Sequence, residues 1–106
     1  MGKTEILADY LRGQARRQLD RVEHRDDGSN ARSALALLDA AIYAKGLDDD
    51  DPLIVELVEA GCFGRDGLGG FDPGEEATKA VRAWRGGEPG DLLKFVSMVS
   101  RVQMTG

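Results

Sequence analysis

Four features of the chain carry residue types that could do chemistry. The first is Gly61 to Glu76, GCFGRDGLGGFDPGEE, in which six of the first fourteen residues are glycine. Glycine lets a backbone come close to a phosphate or curl around a cation. The neighbouring residues suit neither ligand. A phosphate-binding loop ends in Gly-Lys-Ser/Thr ahead of a helix, whereas Gly74 is followed by Glu75 and Glu76. Two carboxylates there would repel a phosphate from the helix amides. A dinucleotide fingerprint starts at Gly67 and Gly69, but Asp72 holds its third glycine position and no strand is expected before it. Counted from Asp66 as an EF-hand loop, Leu68 and Gly70 stand where oxygen ligands belong. Gly2-Lys3-Thr4 has no glycine loop upstream. The stretch therefore reads as a mobile connector anchored by Phe63 and Phe71, with Arg65 and Asp66 as polar contacts to a partner and Leu68 as an apolar tip.

The second feature is Leu47 to Pro52, LDDDDP. A hard cation wants six or more converging oxygens, and contiguous aspartates point in different directions. The run is expected to cap the following helix and complement its dipole. Asp48, Asp49 and Asp50 are candidates for a charged contact edge. The third feature is Cys62 with His24, the single cysteine and single histidine, which form the one available thiol–imidazole couple. No third group is placed to orient them. Cys62 reads as a packed thiol, and His24 as a charge near the end of the first helix. The fourth feature is a pair of basic faces, Arg12, Arg16, Arg17 and Arg21 in one helix and Lys79, Arg82 and Arg85 in another. Such faces suit phosphates. Asp9, Asp20 and Glu23 interleave with the first set at pairing distances, and a chain of net charge −5 argues against nucleic acid.

The elements that must position these residues are helices. No segment alternates as a strand does. In the first helix, Lys3 to His24, the residues Leu7, Leu11, Ala15, Leu19 and Val22 form one apolar stripe, interrupted by Gly13 at a cost of about 1 kcal/mol relative to alanine. The second helix starts with Ser29 as its N-cap and runs to Lys45. Its inward face is Ala34, Leu35, Leu38, Ala41 and Ile42, and Gly46 is expected in the left-handed position with Leu47 folded back onto Ile42. A short, apolar and therefore central third helix opens at Asp51-Pro52 and stops at Gly61. A fourth opens at Asp72-Pro73, with Glu75 reaching back as in a capping box, and carries Ala77, Ala80, Val81 and Trp84 inward as far as Gly86-Gly87. The fifth opens at Pro89 and carries Leu92, Phe95, Val96, Val99 and Val102. Short connections suit near-antiparallel packing.

The bulk composition agrees. With 106 residues, 42% hydrophobic and 31% charged, the chain is expected to fold as a single helical domain over residues 1–106. No apolar run approaches the roughly 18 residues of a spanning helix. The start carries charges where a signal segment is apolar, and Ile6 stands where a myristoylation motif wants Ser or Thr. Arginine outnumbers lysine ten to four, a bias of GC-rich bacteria. Charge is unevenly spread, with net +2 over residues 1–25, −10 over 26–76 and +3 over 77–106, which favours docking between copies or to a basic partner.

The sequence thus reads as all-α, a compact bundle of about five helices. The expected function is that of a small cytoplasmic bacterial protein acting as a non-enzymatic interaction module. Its surface would be Arg65, Asp66 and Leu68 with Asp48, Asp49 and Asp50, its partner a protein or a second copy. No catalytic residue, cofactor, metal, nucleic acid or membrane is expected. Two other classes are alternatives. One is a nucleic-acid-associated regulator using the two basic faces. The other is a thiol enzyme built around Cys62.

Overall fold

A computed structural model describes residues 2–20, 28–64 and 69–105. In chain order the helices are α1 (Lys3–Asp20), α2 (Ser29–Lys45), α3 (Pro52–Glu59), α4 (Glu75–Ala83) and α5 (Pro89–Thr105). Among the described residues there is no strand. The all-α expectation holds. Helix α1 packs most extensively on α2, while α5 lies against α4, α3 and α2. A radius of gyration of 13.4 Å is what a chain of this length has when its helices share one core.

Alanine sets how α1 and α2 meet. The buried face of α1 is Leu7, Ala8, Leu11 and Ala15, and that of α2 is Ala34, Leu37, Ala40, Ala41 and Ala44. Small side chains let two helices approach closely and interlock over several turns. This face of α2 differs from the expected one. Leu35 is 63% exposed and Ile42 72% exposed, whereas Ala34 and Ala41 are buried as expected and Leu37, Ala40 and Ala44 join them, so the inward face is rotated toward Leu37 and away from Leu35 and Ile42. Leu19 of α1 is also exposed, and Val22 lies outside the described residues.

The N-cap of α2 is Gly28, in the left-handed region at φ 86°, and Ser29 is the first helical residue rather than the cap. At the other end Gly46 has φ −80°, so no left-handed cap forms there, and the Leu47 amide bonds the Ala44 carbonyl at 3.1 Å. The left-handed cap occurs after α3 instead. Gly61 has φ 83°, its amide donates to Val58 at 3.0 Å, and the Cys62 amide donates to Leu57 at 3.0 Å. These two bonds make a Schellman motif, and the buried Leu57 and Cys62 supply the apolar contact that accompanies it. Helix α3 buries Ile54 and Leu57 but leaves Val55 exposed, so it is one-sided rather than central. In α5, Leu92, Leu93 and Val96 are buried and Val99 packs against the core, while Phe95 and Val102 point outward, contrary to their expected placement.

Candidate functional site

The glycine stretch is closed at its base by backbone bonds. Gly69 donates to the Phe63 carbonyl at 2.8 Å and Asp72 donates to the Cys62 carbonyl at 2.7 Å. Phe63 is fully buried and meets Phe71 edge-on at 5.2 Å, and Phe71 meets Tyr10 of α1 at 4.8 Å. Both phenylalanines therefore hold the loop to the bundle, with Phe63 the deeper and Phe71 half-buried. Arg65, Asp66 and Leu68, the expected contacts, lie outside the described residues.

Asp48 and Asp50 are exposed at the α2–α3 connection. Asp49, although exposed, has a structural partner that sequence spacing does not announce. Its carboxylate accepts from the Thr4 amide at 3.4 Å, supplying a cap to the first turn of α1 from a point far along the chain. Asp51 accepts from the Leu53 amide at 2.9 Å and caps α3 as expected. Among the described residues no three metal-ligating side chains converge.

Cys62 is buried. Its thiol donates to the Ser100 hydroxyl at 3.3 Å, and that hydroxyl donates to the Pro73 carbonyl at 2.8 Å. Burial pushes the Cys62 thiol up and nearby Asp72 adds to this, while the bond with Ser100 opposes it. A thiol held protonated and out of solvent is a packing group that joins α5 to the loop ends. His24, the other half of the couple, lies outside the described residues.

The basic faces are largely engaged within the fold. Arg12 pairs with Asp9, and Lys79 with Glu76 at 3.2 Å. The Arg82 guanidinium donates to the Gln14 amide oxygen at 3.1 Å. The Arg82 carbonyl accepts from the Gln18 side-chain amide, from the Ser33 hydroxyl at 3.2 Å and from Arg85 at 3.0 Å. Gln18 also donates to Ser33 at 3.2 Å. This polar seam joins α1, α2 and the C-terminal end of α4, whose carbonyls need partners of this kind. A second tie runs from the Tyr10 hydroxyl to the Thr78 hydroxyl at 2.9 Å. Burial raises the Tyr10 phenol above its ordinary range, with Thr78 and Arg82 opposing. Every buried side-chain nitrogen and oxygen among the described residues has a partner. The seam is therefore saturated, with no group waiting for a ligand.

What remains open lies on the surface. Among the described residues the large exposed apolar side chains include two helical groupings: Leu35 and Ile42 of α2 with Leu19 of α1, and Phe95, Met98 and Val102 of α5. Leu19 lines a groove of about 500 Å³ with Asp9, Arg12, Gly13, Arg16 and Leu38, whereas Leu35 lines a separate groove with Ala36, Asp39, Arg85 and Gly87. Neither grouping was separated from the core by periodicity, because a helix with apolar residues on both sides gives one broad stripe. No protein-family model, curated protein or solved structure matches the chain. Among the described residues no helix is long and apolar enough to cross a membrane.

Proposed function

We propose that this chain is a non-enzymatic protein-interaction module in the bacterial cytoplasm. One observation carries the reading: Phe95, Met98 and Val102 recur at spacings of three and four along α5 and stay 46%, 56% and 66% exposed. Apolar side chains so arranged on a rigid helix form a contact ridge. The contrast with the interior supports it. Cys62, Tyr10 and the Gln14–Gln18–Ser33–Arg82 seam, which have the chemistry for other tasks, are committed to holding helices together. Asp48, Asp50, Arg65, Asp66 and Leu68 would supply further polar and apolar contacts. The arginine-rich composition supports the bacterial setting, and the buried, unpaired Cys62 is compatible with a reducing compartment.

The test is capture from native cell extract by the full chain and by a variant carrying Phe95→Ser and Met98→Ser. Both positions are exposed, so the helical circular dichroism signal should be unchanged. Loss of a captured protein on substitution is the expected result. Capture that survives both substitutions would overturn the ridge as the contact surface.

A further inference from the structure

Cys62 and Met98 hold their sulfur atoms in opposite surroundings. Cys62 is 0% exposed, and its thiol donates to the Ser100 hydroxyl. Burial also raises the thiol above its ordinary range. Oxidants react with the thiolate, so this sulfur is shielded by position and by its proton. Met98 is 56% exposed. A thioether has no proton to lose, so its oxidation is governed by access. Met98 also stands at the middle of the α5 ridge, three residues after Phe95 and four before Val102, one turn from each. Its neighbours in sequence face the other way. Ser97 is buried and bonds the Lys94 carbonyl at 3.0 Å, and Val99 packs against the core. An oxygen added at the Met98 sulfur is therefore added outside the packed interior.

We propose that Met98 is a reversible oxidation site through which hydroperoxides switch the α5 ridge off. The thioether sulfur attacks the outer oxygen of the hydroperoxide. The O–O bond breaks, an S–O bond forms, and the leaving oxygen takes up the proton and departs as water or an alcohol. Sulfur is oxidised by two electrons and the peroxide is reduced by the same two. A dithiol reverses the step through the reductases that act on each sulfoxide epimer, giving back the thioether with water and a disulfide. The sulfoxide costs the free chain little, because water solvates it. A partner covering the ridge must strip that water and leave a polar oxygen against apolar surface, so affinity falls roughly tenfold. This inference rests on the α5 ridge as the contact surface.

Brief treatment of the folded full chain with dilute hydrogen peroxide, followed by peptide mapping in a mass spectrometer, tests the site. The sulfoxide should form at Met98 about as fast as in a short methionine peptide. Cys62 should stay unmodified until urea is added, and the helical circular dichroism signal should not change. A Met98 protected in the folded chain, or a Cys62 that oxidises first, overturns the proposal. Retention on a phenyl resin reads the ridge without a partner. Oxidation should shorten it, and the two epimer-specific reductases with dithiothreitol should restore it. Met98→Leu, compared before and after peroxide, should show no shift, which separates Met98 from Met1 and Met104. An equal shift in Met98→Leu overturns the assignment, and a shift that the reductases do not reverse overturns the switch. Capture from native extract should fall on oxidation of the wild-type chain and recover on reduction, and undiminished capture by the Met98 sulfoxide also overturns the switch. Capture that survives Phe95→Ser with Met98→Ser refutes the ridge itself, whereas mapping and resin retention judge the oxidation site separately.

Discussion

Two Asp-Pro pairs occur in the chain, Asp51-Pro52 and Asp72-Pro73, and they do different things. Both aspartates accept the amide two residues on, Asp51 from Leu53 at 2.9 Å and Asp72 from Gly74 at 3.0 Å. After Asp51 a helix begins at once with Pro52. After Asp72 the chain turns instead, because Gly74 adopts φ 91° and ψ 169°, and α4 begins only at Glu75. Pro73 is buried and its carbonyl accepts from Ser100 on α5, so this junction is fixed by distant contacts. The same dipeptide therefore announces a turn in both places. The residue two positions later and the tertiary partners decide whether the turn is also a helix start.

The largest expected effect strikes the second junction through its anchor. Phe63→Ala should cost about 3–5 kcal/mol in urea denaturation, since the fully buried ring packs on Phe71 and ties down the loop base. A loss below about 1 kcal/mol would mean that the junction stands without its tertiary support. Gly74→Ala should cost about 1–3 kcal/mol, because that backbone conformation is open almost only to glycine. Leu53→Ala at the first junction carries no such backbone penalty and loses only the packing of a partly buried side chain, so thermal melts of the two variants followed in the far ultraviolet sharpen the contrast. Asp51→Ala should cost about 1 kcal/mol as a lost N-cap, with α3 fraying first in amide exchange. Asp72→Ala should cost about 0.5 kcal/mol or less, since its bond is exposed and begins no helix. Equal losses at Asp51 and Asp72 would erase the distinction between the two junctions.

The α2 helix shows where sequence reading went astray and why. Its existence and its end near Lys45 are plain from spacing and from Gly46. Its orientation is not, since a ranking by hydrophobicity selects Leu35 and Ile42 for the interior. Packing kept the expected Ala34 and Ala41 and added Leu37, Ala40 and Ala44, because α1 offers Ala8 and Ala15 and small side chains allow a closer approach than leucine does. The result leaves Leu35 and Ile42 on the surface. On α5 the same ambiguity hid the Phe95–Met98–Val102 ridge within one broad stripe. The candidate residues Asp48, Asp49 and Asp50 were legible as a charged run. That Asp49 caps α1 was not, because the bond to Thr4 spans most of two helices of chain.

By itself the sequence determined that the chain is helical, how many helices it has and where Pro52 and Pro89 start two of them. Those properties follow from local periodicity and from the fixed geometry of proline. Tertiary structure alone decided that Leu35, Ile42, Phe95 and Val102 face outward, that Asp49 caps α1, and how Cys62, Ser100 and Pro73 become one hydrogen-bonded chain. Those depend on which surfaces meet, and a helix with apolar residues around much of its circumference does not specify its neighbour until close packing and the pairing of buried polar groups choose one.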